Sequence, residues 1–441
     1  MANRNPAISQ AEQRVTCEGL ELTPAAPVHE SNRIVSIDVL RGFALLGILL
    51  MNIQSFSMPL AAYFNPAAYG DLHRANYFAW LLVHVLIDEK FVVIFSMLFG
   101  AGILLMTSRL EASGVNSARL HYRRMAFLIA FGLLHGYLLW AGDILFDYGL
   151  CGLFVFLMRK KSARTLLLTA AFLISLLPTA LAINAHRLSK VPPERLAAMQ
   201  AHWKPPAEEI ARELTAYRGG WMQEMQYRVP QARQLELNGF LLRIFALMLI
   251  GMALLKIGYF TPTFPKRAYW LGVALGACVG VPLVLYGALL DSASDWDIRT
   301  AWFHGLQYNY WGSLVISFGW ISLVMLAVRA QLFPALLSRI QAVGRTAFSN
   351  YILQSIICTF IFYGYGLGLF GRVSRAAQLA IVALVWAIQL TISPIWMKHY
   401  QFGPLEWLWR SLTYARREPF RRPSIRSDSV RGLEVEAKPQ R

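Results

Sequence analysis

The chain has 441 residues, of which 56% are hydrophobic and only 15% charged; soluble chains average roughly 45–50% and 25%, so an ordinary soluble enzyme is excluded. Apolar runs near the length of about 20 residues that a helix needs to cross a bilayer recur along most of the sequence, and the expected fold is all-α, a polytopic transmembrane helical bundle. A net charge of +17 would suggest nucleic acid in a soluble protein, but the basic residues fall between the apolar runs and in the tail, where they set membrane orientation, so the expected partner is the lipid bilayer and not nucleic acid.

In chain order, residues 1–32 are polar, lack the apolar core of a cleavable signal, and predict a disordered cytoplasmic arm. Residues 33–183 form a first half with five apolar runs at 39–56, 91–106, 125–141, 144–158 and 166–183. The stretch 76–87 is apolar but too short to cross, and reads as a half-helix or an extension of the second span. Residues 184–236 mix charges with Pro192, Pro193, Pro205, Pro206 and Pro230, which predicts an outer loop of short helices broken by prolines. A second half, 237–414, holds runs at 237–255, 269–290, 311–328, 347–369 and 376–397, for about ten spans in all. The remainder, 415–441, is rich in Arg, Pro and Ser and predicts a flexible tail drawn to anionic lipid. Cys17, Cys151, Cys278 and Cys358 lack metal-ligand spacing, so neither a metal site nor a disulfide is expected.

With the N-terminus inside, 28 of the 42 Lys and Arg fall on the inner side. That census places both termini in the cytoplasm.

A charged group at bilayer depth costs at least about 2.5–3.5 kcal/mol, so each needs a partner or a purpose. Asp38 and Arg41 share a face at the start of the first span and predict a local ion pair. With Arg33, Arg123, Arg124 and Arg345 they make an inner rim that either anchors the inner face or binds phosphate. Asn52, 14 residues beyond Asp38, lies about 21 Å deeper. Asp88, Glu89 and Lys90 precede the second span, and Asp143 follows His135 at a tight turn. Arg243 enters the sixth span from the outer end. These groups are expected to converge at one depth, where His135 is either a base or an interhelical hydrogen bonder. Gly132 and Gly136, at four-residue spacing, predict a helix-packing surface.

Several motifs carry a resemblance. Asp38-x-x-Arg41-Gly42-x-Ala44 with Gly47-Ile-Leu-Leu-Met-Asn52 resembles the opening of the YeiB-like family of bacterial membrane proteins (domain of unknown function 418). Further matches are Lys90-Phe91, Gly132-Leu-Leu-His135, and Gly344 to Ser355 with its Asn350 and Gln354. Gly403-Pro-Leu-Glu-Trp-Leu-Trp-Arg410 completes the set. The opening also resembles that of transmembrane acyltransferases, including the heparan glucosaminide N-acetyltransferases. That likeness implies acyl-CoA as a co-substrate and a central histidine; His73 matches the position of that histidine only roughly.

The leading expectation is therefore transfer of an acyl group from cytoplasmic acyl-CoA to an outer acceptor such as a glycan or lipid, at a bacterial inner membrane. His135 or His73 would be the base, oriented by Asp143 or Asp88, with Asn52 as an oxyanion donor. Lys90, Arg243, Asn350 and Gln354 would contact substrate. A transporter of a small metabolite or lipid, with helices broken at Pro178 and Pro394, is the alternative; a non-catalytic scaffold is a third.

Overall fold

A computed structural model describes residues 34–186, 192–236 and 241–422. Arg33, the arm at 1–32 and the tail beyond 422 lie outside the described residues. The described chain is all-α, with one isolated bridge between Tyr400 and Arg421. In order it forms α1 (Val35–Ser57), α2 (Leu60–Phe64), α3 (Arg74–Leu86), α4 (Lys90–Ala112), α5 (Ser117–Leu138), α6 (Leu145–Met158) and α7 (Ala163–His186). A cap of α8 (Pro193–Trp203), α9 (Ala207–Tyr217) and α10 (Trp221–Glu236) follows. Then come α11 (Leu241–Lys256), α12 (Lys266–Leu275) running through a π turn into α13 (Val281–Ala293), α14 (Ile298–Thr300) and a second π turn into α15 (Leu306–Arg329). The chain closes with α16 (Pro334–Arg345), α17 (Ala347–Phe362), α18 (Arg375–His399) and α19 (Pro404–Tyr414).

Among the described residues six helical runs are long and apolar enough to cross a bilayer: Val35–Ser57, Arg74–Ala112, Ala163–Asn184, Lys266–Ala293, Leu306–Arg329 and Arg375–His399. The sorting of side chains fits lipid as solvent. Phe154, Phe172, Leu271, Tyr286 and Leu384 face outward, while serines, amides and charges are turned inward, where backbone and side-chain partners satisfy them.

Helix α1 lies at the centre and buries most of its length. It is crossed closely by α16, because a Cβ on Gly42 would stand 2.0 Å from the Ile340 carbonyl oxygen and one on Gly344 only 1.8 Å from that of Asp38. A second close crossing joins α4 to α11, where a Cβ on Gly100 would meet the Met248 carbonyl oxygen at 2.1 Å and one on Gly251 that of Met97 at 1.7 Å. Small residues let the backbones touch, as membrane helices require. Replacing Gly251 by Ala should force α4 and α11 apart and destabilise by about 1–3 kcal/mol; thermal unfolding in detergent reads this directly, and an unchanged midpoint would contradict the close crossing.

Several expectations are corrected. Pro178, Pro230 and Pro394 lie inside α7, α10 and α18, which continue through them; flanking turns hold each helix together, so none of the three prolines breaks a helix. The run at 347–369 ends as helix at Phe362, where Tyr363 turns extended and glycines at 364, 366, 368 and 371 shape the return. Of the two readings left open for the stretch before the second span, the structure has the separate helix, α3, divided from α4 by Glu89 at φ +62°. Residues 415–422 do not leave the surface at once: Trp407 donates to the Glu418 carbonyl at 2.8 Å and Phe420 packs on Trp396, Tyr400 and Trp407.

Candidate functional site

His135 sits three residues from the end of α5, 4% exposed. Its Nδ1 is 2.7 Å from Asp143 Oδ1 and its Nε2 2.9 Å from Ser355 Oγ on α17. Asp143 is fixed in turn, since its other oxygen accepts from the Phe146 amide at 2.8 Å, in the first turn of α6. The approach depends on a missing side chain: a Cβ on Gly132 would lie 2.3 Å from the Phe146 nitrogen and 2.8 Å from Asp143 Oδ2, whereas one on Gly136 would make ordinary contact with Asp143 Cβ at 3.5 Å. Gly132 thus admits the turn that delivers the carboxylate. Tyr351 and Trp140 wall the imidazole, with ring centroids 5.0 and 6.1 Å away. A buried imidazole with a carboxylate on one nitrogen and a hydroxyl on the other forms a continuous hydrogen-bonded chain, the arrangement that proton transfer requires.

Trp140 also lines a cavity of about 10 Å³ with Ser55, Glu213, Tyr217, Gln231 and Phe370, room for about one water. The cap closes it. Arg228 of α10 donates to the Tyr137 and Leu139 carbonyls at the end of α5, and Trp221 to that of Leu138 at 3.2 Å. Arg228 is itself paired with Glu224 at 2.7 Å.

A second constellation lies where α3 breaks into α4. The fully buried Lys90 ammonium donates to the His84 carbonyl at 2.6 Å and to Asn309 Oδ1 at 2.5 Å. Asp88 pairs with His84 at 3.3 Å, and Arg243 of α11 with Glu89 at 2.6 Å and with Ser313 at 2.6 Å. Arg243 also stacks on Tyr310, 3.9 Å from its centroid. The polar groups expected at one depth therefore divide into two sets, and no hydrogen bond among the described residues joins the His135 chain to the Lys90 and Arg243 cluster.

The arginine end is built differently from what spacing suggests. Arg41 pairs with Asp38 at 2.9 Å. Arg124 lies flat on Trp409, 3.7 Å from its centroid, while the Trp409 indole donates to the Arg124 carbonyl at 2.9 Å. Arg41, Arg124 and Arg410 lie within electrostatic reach of one another. Gly344 against α1 brings Arg345 to this end, and Arg123 sits over Phe127. Glu406 of α19 accepts from the Phe348 and Ser349 amides at 2.7 and 3.1 Å, capping α17, so Glu406 and Trp409 of the Gly-Pro-Leu-Glu-Trp-Leu-Trp motif tie α19 to α17 and α5.

Other singled-out residues have separate surroundings. His73 is an exposed residue at the start of α3, bonded to Asp71 at 2.7 Å; hydrogen bonds from His73 and Asn76 hold the Asp71 carboxyl below its usual range. The Asn350 amide donates to Thr346 and Ser393, and Gln354 to Gln389 and the Leu45 carbonyl, which ties α17 to α18 and α1. Asn52 is buried on α1 and shares no hydrogen bond with His135 or Asp143. Among the described residues no three His, Cys, Asp or Glu are grouped to hold a metal.

Ser355 and Arg410 end two of the motifs quoted from sequence but were given no role there, and His84, Asn309 and Ser313 were not singled out at all. A serine in an apolar helix carries no signal of its own; Arg410 follows two tryptophans on an amphipathic helix, a pattern that marks it.

An all-α bundle with apolar exterior and polar constellations inside is that of a polytopic helical membrane protein. The chain belongs to the DUF418 family, whose model, described as a protein of unknown function, matches residues 254–416. It is 32% identical over 411 residues to the uncharacterized protein YxaH of Bacillus subtilis, covering 89% of this chain and 97% of the relative. It is 31% identical over 402 residues to the uncharacterized protein YeiB of Escherichia coli, covering 86% and 96%. The resemblance carried by the opening and closing motifs is thereby confirmed for the YeiB-like family.

Proposed function

We propose that this chain is an acyltransferase of a bacterial cytoplasmic membrane, moving an acyl group from acyl-CoA at the arginine end to an acceptor hydroxyl or amine, such as one on a glycan or lipid, reached from the capped end. The observation that carries the reading is the buried Asp143–His135 hydrogen bond of 2.7 Å. A carboxylate that fixes the tautomer and orientation of an imidazole is what a general base needs. The cations supply the donor side: Arg124 and His135 stand on one helix, 11 residues and so about 16 Å apart, a separation for the pantetheine arm to bridge. Incubating the purified protein with labelled acetyl-CoA tests the reading; acyl transfer to added acceptor, or slow hydrolysis, is expected, and inert acetyl-CoA with no CoA binding would overturn it.

Arg41 and Arg345 make the donor side testable by themselves. If they hold CoA phosphates, Arg41→Gln and Arg345→Gln should each weaken CoA binding by about 1.5–3 kcal/mol, measured by calorimetry on folded protein. Unchanged affinity in both would leave them as anchors only. The positive-inside census puts both termini in the cytoplasm: a reporter fused after Tyr414 should read as cytoplasmic and one near Lys204 as external, and reversed signals would exchange the donor and acceptor sides.

A transporter is the second reading, favoured by the helix break at Glu89 and the charges buried around it. Broken helices with ionisable groups mark substrate paths in transporters. Counterflow of solutes in reconstituted vesicles, with acetyl-CoA inert, would favour it.

A further inference from the structure

We propose that Ser355 is a nucleophile that carries the acyl group covalently between donor and acceptor, an inference that rests on the acyl-transfer reading above. Both nitrogens of His135 are engaged, Nδ1 at 2.7 Å from Asp143 and Nε2 at 2.9 Å from Ser355 Oγ. A carboxylate only accepts, so Asp143 takes the Nδ1 hydrogen and leaves Nε2 as an acceptor; the Ser355 hydroxyl then donates to it at 2.9 Å in preference to the Tyr351 carbonyl at 3.4 Å. That order of carboxylate, imidazole and hydroxyl activates a serine on unrelated folds and is recognised by its geometry. The three groups come from α17, α5 and the turn before α6, and Ser355 is 220 residues from His135.

A second observation points to the same atom. The Tyr351 hydroxyl is buried beside the Ile144 backbone, and no side chain among the described residues pairs with it. Its ring is 5.0 Å from that of His135 and lies one helical turn before Ser355 on α17. A buried hydroxyl with no side-chain partner can turn its hydrogen to a developing oxyanion beside Ser355. Ser355 is 1% exposed, and that burial would shield an ester from hydrolysis until an acceptor enters past Trp140.

The step balances without a further reagent. Ser355 Oγ attacks the thioester carbonyl as its proton passes to His135 Nε2; the tetrahedral intermediate collapses with cleavage of the carbon–sulfur bond, and His135 returns the proton to the departing CoA sulfur. An acceptor hydroxyl or amine then gives its proton to His135 and attacks the Ser355 ester. Serine leaves with that proton, and the acylated acceptor is released.

The test uses the full chain in detergent with an organic fluorophosphonate, which bonds phosphorus to an activated serine oxygen as fluoride leaves. Peptide mass mapping should place the adduct on Ser355, with none in Ser355→Ala and a rate lower by about 10²-fold or more in His135→Gln. Labelled acetyl-CoA should leave acyl label on the same peptide after denaturation. Ser355→Cys, close in volume, guards against misfolding and should be alkylated at residue 355 faster than Cys151 or Cys358. Folded wild type with no fluorophosphonate adduct at Ser355 overturns the proposal. Full acyl transfer by Ser355→Ala with no acyl-protein overturns it too, while leaving acyl transfer in place. Modification of Ser355 by the fluorophosphonate with acetyl-CoA inert supports the nucleophile and removes only the acyl-CoA donor.

Discussion

His135→Gln is expected to lower acyl transfer by about 10²–10⁴-fold, the contribution a positioned general base makes, while the protein stays folded. Glutamine keeps hydrogen-bonding capacity toward Asp143 and Ser355 but cannot take and return a proton at neutral pH. An average hydrogen bond between membrane helices is worth only about 0.6 kcal/mol, so a purely structural histidine would instead show a small loss of thermal stability and an unaltered rate. Initial rates and melting curves on the same preparation separate the two outcomes. A well-folded variant with wild-type turnover would remove His135 as the base.

The larger effect on stability should come from Arg243→Met. The guanidinium is buried, paired with Glu89 at 2.6 Å, bonded to Ser313 and to the Tyr310 carbonyl, and stacked on the Tyr310 ring. Removing it strands the Glu89 carboxylate at a break in the helix, although the Tyr310 carbonyl keeps the Ser313 hydroxyl as donor at 3.0 Å, and loss of one member of a buried pair costs about 3–5 kcal/mol. Adding Glu89→Gln to Arg243→Met should recover part of that loss, because the stranded charge is gone. Melting of the single and double variants in one detergent measures the difference; an Arg243→Met protein as stable as wild type would show that water already solvates the pair.

Much of the bundle was legible because lipid rewards long apolar runs without regard to detail. Helices α1, α7 and α18 fall where continuous hydrophobic stretches predict them. Helix α16 lies between two of the expected runs and matches none of them: Leu336, Leu337, Ile340 and Val343 recur at helical spacing between polar residues, a pattern that does not announce a span. The site was half legible. His135 and Asp143 are eight residues apart across one turn, so local spacing brings them together, whereas Ser355 comes from a distant helix and only packing selects it. His73 was singled out by likeness of position, and nothing in its exposed loop holds it against the buried chain. Asp88, Glu89, Lys90 and Arg243 were readable as costly charges, but their true neighbours, Asn309 and Ser313, were visible only once α15 packed against α4.

The glycine contact between α1 and α16 bears on how such a chain is made. Helix α1 leaves the ribosome before the other described helices, yet the surfaces that complete it come much later; the Gln354 amide that bonds to the Leu45 carbonyl lies 309 residues on. At about 5–20 residues per second, synthesis alone imposes a wait of roughly 15–60 s. During that interval a helix carrying Asp38, Arg41, Asn52 and a bare glycine groove has no permanent neighbour on that side. The insertion machinery, or a transient companion helix, must shelter it, and the late-emerging α16 and α17 act as the keystone that releases α1 into its final place.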